Sequence, residues 1–128
     1  MKLGYVILYV ENVEASITFY ENAFSIKRKF IHESKEYGEM ETGDTILSFA
    51  DRSTSQPKGL EFLKNADTSK CHPTEIAFIT EDVPSAFEKA IRNGCKIISE
   101  PEQKPWGQLV SYVLDLNGFL VELSSPMA

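Results

Sequence analysis

Two stretches of the chain carry the same hydropathy pattern. Tyr5-Val-Ile-Leu-Tyr-Val-Glu-Asn-Val13 is an apolar run broken by two polar residues, and Glu75-Ile-Ala-Phe-Ile-Thr-Glu-Asp-Val83 has the same form. Superposing Glu11-Asn12-Val13 on Glu81-Asp82-Val83 sets the copies 70 residues apart. After Val13 the apolar positions are Ile17, Tyr20 and Phe24; after Val83 they are Phe87, Ala90 and Gly94. Steps of four, three and four trace one face of an α-helix. Asn12 and Asp82 stand where an N-cap side chain accepts from orphan N–H groups. Pro84 fits a first helical turn and Gly94 a left-handed C-terminal position.

The downstream pattern also repeats. Ile26–Ile31 and Cys95–Ser99 read as strands, followed by Glu36–Glu41 and Gln108–Leu114, then Thr45–Ala50 and Gly118–Ser124. Gly43-Asp44 and Asp115–Gly118 read as the turns before the last strands. Matching Leu47-Ser-Phe49 to Val121-Glu-Leu123 shifts the separation to about 74 residues. The predicted fold is α+β: two tandem βαβββ modules forming curved mixed sheets around a concave pocket. One domain, 1–128, contains modules at about 1–50 and 74–128 and a polar linker at 51–73. Leu60, Phe62 and Leu63 in that linker are expected to form a short helical turn or cover part of the core.

Strand alternation then places side chains on faces. In the first strand Val6, Leu8 and Val10 face the helix, and Tyr5, Ile7 and Tyr9 face away. Glu75, Ala77 and Ile79 are the second module's counterparts. In the last strand Val121 and Leu123 suit the helix side, which puts Glu122 on the other face, with Ser48 as its first-module equivalent. Tyr5, Ser48, Glu75 and Glu122 are thus expected to converge, a placement that a one-residue register error would undo.

Composition narrows the function. The 128 residues are 42% hydrophobic and 25% charged, enough for a core without disulfide or metal staples. Thirteen basic against nineteen acidic side chains give a net charge of −6, which argues against nucleic-acid and membrane-surface partners and favours cationic ligands. The two histidines, His32 and His72, and two cysteines, Cys71 and Cys95, show no zinc-module spacing. The longest apolar run, Tyr5–Val10, is too short to span a bilayer, and reduced thiols in a cytoplasmic protein are expected.

These segments, together with Pro105-Trp-Gly-Gln108 and Tyr112-Val-Leu-Asp-Leu-Asn-Gly-Phe-Leu-Val-Glu-Leu123, resemble the vicinal oxygen chelate superfamily, the glyoxalase/bleomycin-resistance/extradiol-dioxygenase group. The resemblance covers nearly the whole chain. It implies paired βαβββ modules and a homodimer. In metal-dependent members, the first strand of each module and the last strands supply His, Gln or Glu. Here Tyr5 and Glu75 stand where histidines often sit, Ser48 stands where an acidic ligand can sit, and Glu122 matches a common metal ligand. Such oxygen donors suit Mg²⁺, Mn²⁺ or Ca²⁺ weakly and Zn²⁺ or Ni²⁺ poorly. His72, beside Pro73, is expected to lie outside the strand.

Several roles remain open on the residues alone. Glu75 and Glu122 are candidates for acid/base catalysis or amine binding as a carboxylate pair with one raised pKa, or for a structural polar cluster with Tyr5 and Ser48. Tyr5, Ile7 and Tyr9 are candidate ligand contacts, the tyrosines alternatively core aromatics. Trp106 is a candidate pocket lid, hairpin cap or interface residue. Cys95 reads as a core thiol and Lys27-Arg28-Lys29 as a solvated strand.

The leading reading is a small-molecule binder with a degenerate metal site, sequestering a cationic or aromatic ligand at Tyr5, Ile7, Tyr9, Ser48, Glu75, Trp106 and Glu122, with no cofactor. The alternative is a divalent-metal-dependent lyase or isomerase of glyoxalase type. A third is a purely structural dimer with a filled cavity.

Overall fold

The protein is described by a computed structural model covering residues 1–62 and 71–127. The chain divides into two compact units, Met1–Asn65 and Ala66–Ala128. Leu63 lies outside the described residues, as do the linker positions 64–70.

The first unit runs β1 (Tyr5–Val10), α1 (Val13–Phe24), β2 (Arg28–Ile31), β3 (Tyr37–Met40) and β4 (Ile46–Asp51). Its sheet has the order β1-β4-β3-β2, with β1 parallel to β4 and the other pairs antiparallel. Asn12 starts α1, its Oδ1 accepting from the Ala15 N–H at 2.9 Å. Val13, Ile17 and Tyr20 are buried as the periodicity requires, and Ser25 closes the helix in the left-handed region at φ 57°. Tyr20 meets Phe49 edge-on at 5.0 Å between ring centres; both are fully buried. A Cβ on Gly38 would collide with the Ile17 side chain, so this glycine lets α1 lie close on β3.

The second unit repeats the plan: β5 (Glu75–Ile79), α2 (Val83–Arg92), β6 (Lys96–Gln103), β7 (Leu109–Leu114) and β8 (Leu120–Ser124), ordered β5-β8-β7-β6. Asp82 Oδ1 accepts from the Ser85 N–H at 3.1 Å and Pro84 sits in the first turn. Val83, Phe87 and Ala90 are buried.

α2 stops at Arg92 with Asn93 as its cap, and Gly94 follows at φ 105°, the positive-φ C-terminal position expected of it. One detail differs from expectation. β6 continues past Ser99 to Gln103 with Pro101 inside it, which an edge strand with two register shifts tolerates.

The strand register reproduces the repeat. Ile7 pairs with Ser48 and Ala77 with Glu122, so the first strands are 70 residues apart and the last 74. Glu39 pairs with Ser48 and Tyr112 with Glu122. The β2–β3 pairing skips Lys29, between Arg28↔Met40 and Phe30↔Glu39; the β6–β7 pairing skips Ile98, between Ile97↔Val113 and Ser99↔Tyr112. Lys29 and Ile98 are therefore equivalent bulge positions. Among the described residues no helix is long and apolar enough to cross a membrane.

Candidate functional site

The face of each sheet turned away from its helix carries the candidate residues. In β1, Leu8 and Val10 are buried while Tyr5 and Ile7 are exposed at 53% and 41%. In β8, Val121 and Leu123 are buried and Glu122 is half-buried on the opposite side. The alternation expected from sequence holds in both modules.

In the first unit this face holds a cluster centred on Tyr37. Its hydroxyl lies 2.8 Å from Glu39 Oε2 and 3.0 Å from Ser48 Oγ. One phenolic proton serves only one of them: Tyr37 donates to the Glu39 carboxylate and accepts from the Ser48 hydroxyl. Lys29 Nζ stands 3.7 Å from Glu39 Oε1. Burial raises the Tyr37 pKa above its usual value; Ser48 opposes this, and the Glu39 acceptor and charge add to it. Glu39 and Ser48 are both buried. The partner of Ser48 is thus a tyrosine of its own sheet, one that the sequence reading missed along with Glu39. Both stand on β3 across from β4, and an alternation reading of Glu36–Glu41 against the β4 register would have found them.

In the second unit Glu75, on β5, lies diagonal to Glu122 on the adjacent β8, because Glu75 pairs with Leu120 two residues earlier. Partial desolvation raises the Glu75 pKa, and the charge and hydrogen bonding of Glu122 raise it further. Tyr112 pairs with Glu122 across β7 and β8; burial, then the hydrogen bonding and charge of Glu122, then the charge of Glu75 raise its pKa. Glu75 and Glu122 therefore stand on neighbouring strands of one sheet, with Tyr112, which the sequence reading missed, opposite Glu122 on β7. The structure brings together Glu75 with Glu122, and Ser48 with Tyr37 and Glu39.

The remaining candidates are placed as follows. Tyr9 packs on Phe62 with ring centres 4.5 Å apart, so the linker covers this end of β1. Trp106, 61% exposed, lies in the β6–β7 turn and donates from Nε1 to Gln108 Oε1 at 2.9 Å. His72 precedes β5 and stacks on Phe119 at 5.7 Å. Cys95 is buried and its thiol is pushed up to about 12, chiefly by desolvation. Arg28 forms a two-pronged pair with Glu21, at 3.0 and 2.8 Å, on the helix side of the chain's basic run. A hollow of about 520 Å³ opens at the ends of β1 and β4, lined by Glu11, Arg52, Ser53, Gln56, Glu61 and Phe62; it contains none of the expected site residues.

A paired βαβββ architecture with polar groups on the sheet faces opposite the helices defines a class, and the comparisons agree. The sequence profile of the Glyoxalase/Bleomycin resistance protein/Dioxygenase superfamily matches residues 2–123, and the chain belongs to that superfamily. It is 23% identical over 124 residues to the uncharacterized protein YraH of Bacillus subtilis (strain 168), spanning 96% of this chain and 97% of that one. Its fold is similar to that of a glyoxalase-related enzyme from Fulvimarina pelagi (TM-score 0.82, 19% identity, 98% of this chain and 88% of that one). It is also similar to TioX from Micromonospora sp. ML1 (TM-score 0.76, 19% identity, 98% of each chain).

The metal that many such proteins use can be tested against the donors. Among the described residues no group of three or more His, Cys, Asp or Glu is arranged to hold a metal ion. The second unit offers two carboxylates and a phenol on this face, with no imidazole or thiolate beside them. That set does not fit Zn²⁺ or Ni²⁺ and is short of ligands for Mg²⁺ or Ca²⁺.

Proposed function

We propose that the protein is a small-molecule-binding member of its superfamily, with a degenerate metal site, that sequesters a cationic or aromatic ligand. The observation that carries this reading is the Glu75–Glu122 pair. Two carboxylates on neighbouring strands of one sheet face repel each other, and Glu122 helps hold the Glu75 pKa high. A bound cation relieves that repulsion without requiring the ligand geometry of a metal. Tyr5 and Ile7 supply apolar and aromatic surface on the corresponding face of the first unit.

The divalent-metal lyase or isomerase is the second reading, favoured by the same pair, since a carboxyl with a raised pKa can carry a proton. Its donor set is the weaker fit. The free thiols Cys71 and Cys95 support a reducing compartment such as the cytoplasm. A homodimer belongs to the proposal too, supported by exposed apolar side chains such as Ile7 and Ile79.

A thermal-shift screen of cationic and aromatic compounds tests the proposal. A ligand present at about a hundred times its Kd adds about 2.7 kcal/mol, a shift of several degrees. Stabilisation of chelator-treated protein by such compounds is expected. No response to any of them, together with stabilisation by Mn²⁺, Ni²⁺ or Zn²⁺, would transfer the case to the metal enzyme.

A further inference from the structure

The hollow of the first unit opens where the parallel strands β1 and β4 end. At about 520 Å³ it falls within the range of about 300–1,000 Å³ common to small-molecule sites. The proposed function leaves it without a role.

Local hydrogen bonds fix its wall. The Arg52 N–H donates to the Val10 carbonyl at 2.9 Å and holds the two strand ends together. Asp51 Oδ1 accepts from the Ser53 hydroxyl at 2.6 Å, the Ser53 N–H at 2.8 Å and the Thr54 N–H at 3.2 Å, so this carboxylate is engaged by the turn. The Phe62 N–H donates to Gln56 Oε1 at 3.4 Å, and the Phe62 ring rests on Tyr9 with ring centres 4.5 Å apart. The far wall is thereby tied back to β1.

The same bonds decide what the lining has left to offer. The Ser53 hydroxyl gives its proton to Asp51, so only its oxygen remains, as an acceptor. The Gln56 side-chain oxygen is taken by Phe62, so its NH₂ remains, as a donor. Arg52 carries a fork of N–H donors, more than a single partner uses. Glu11 and Glu61 are exposed acceptors, and among the described residues neither forms an ion pair. Phe62 adds an apolar wall. The hollow thus mixes donors with acceptors and one positive charge with two negative ones. An anion alone would meet two carboxylates, and a cation alone would leave the guanidinium unmatched.

We infer that this hollow binds a free basic α-amino acid, a small molecule with one carboxylate, two ammonium groups and a methylene stem. The carboxylate takes Arg52 and the Gln56 NH₂, the ammonium groups take Glu11 and Glu61 with Ser53 Oγ as a further acceptor, and the stem lies against Phe62. Each ligand charge meets an opposite charge through charge-assisted hydrogen bonds, and the loaded hollow is electrically neutral. The site is separate from the Glu75–Glu122 face and goes beyond the function proposed for that face. A cationic aromatic compound without a carboxylate has nothing to give Arg52, so the two sites select different ligands.

L-Lysine is the probe, measured by calorimetry on the full chain at neutral pH. Three relatives each lack one of its charges: cadaverine lacks the carboxylate, norleucine the side-chain ammonium, and 6-aminohexanoate the α-ammonium. Lysine is expected to bind tightest, and each missing charge is expected to weaken binding about tenfold or more. Glu11→Gln and Glu61→Gln are conservative changes at exposed positions. Each is expected to weaken lysine binding about tenfold or more while leaving the melting temperature unchanged. Norleucine needs only one of the two acids, so one variant is expected to weaken its binding and the other is not.

Absence of lysine binding would overturn the inference. So would cadaverine or norleucine binding as tightly as lysine, or lysine binding that survives both Glu11→Gln and Glu61→Gln. Each of these results leaves the Glu75–Glu122 reading standing, because that reading is tested by cationic and aromatic compounds at other residues.

Discussion

Glu75→Gln isolates the repulsion on the second sheet. The substitution keeps the side-chain shape and removes one of two like charges on adjacent strands. Like charges across a strand pair are destabilising on the scale of about 0.2–1 kcal/mol. Glu75 is exposed, so solvent screening places the gain at the lower end, about 0.3–0.5 kcal/mol. For a domain of this size that is about 1–3 °C in Tm.

The pH dependence has a definite sign. The folded-state pKa of Glu75 is raised above 4.5, so in the window above that value the folded protein binds more protons than the unfolded chain. Stability attributable to this group therefore falls as pH rises through the window. The penalty is complete above the folded pKa and absent below about 4.5. Urea denaturation of wild type and Glu75→Gln at several pH values between 4 and 8 measures it. The variant is expected to be more stable at pH 7–8 and indistinguishable at pH 4. A variant less stable at neutral pH, or a difference that does not change with pH, would refute the electrostatic account and make Glu75 a structural hydrogen-bonding residue.

Three further outcomes follow from the packing. Gly38→Ala forces a methyl group against Ile17 and the Phe30 carbonyl, and is expected to cost about 1–3 kcal/mol by chemical denaturation. Tyr37→Phe strips the hydroxyl that joins Glu39 to Ser48 and is expected to cost about 1–3 kcal/mol, whereas removing an exposed hydroxyl would cost next to nothing. Exposed Cys71 is expected to react promptly with Ellman's reagent at pH 8, while Cys95, buried and held as a thiol with its pKa near 12, reacts only on unfolding.

The fold was legible in the sequence because each module repeats its own signals. Apolar spacing located both helices, Asn12 and Asp82 located their starts, and the 70- and 74-residue separations match the observed strand register. Alternation also put Glu122 on the face opposite Val121 and Leu123. What sequence alone did not yield were the cross-strand partners. Tyr37, Glu39 and Tyr112 gain their meaning only from the β3–β4 and β7–β8 registers, which depend on hairpin geometry. The equivalence of Lys29 and Ile98 depends on two bulges, and no periodicity announces a bulge. Gly94 was legible as well: a glycine at the end of the helical stripe marked the positive-φ turn that follows α2.

The central claim is that the Glu75–Glu122 face of the second sheet is a ligand site. Titration of isotope-labelled protein with a cationic aromatic compound that stabilises it in the thermal-shift screen, followed by two-dimensional amide NMR, tests it residue by residue. The largest shifts are expected at Glu75, Ala77, Tyr112 and Glu122. Shifts confined to the hollow formed by Glu11, Arg52, Gln56 and Phe62, or no shifts at saturating ligand, would contradict the claim.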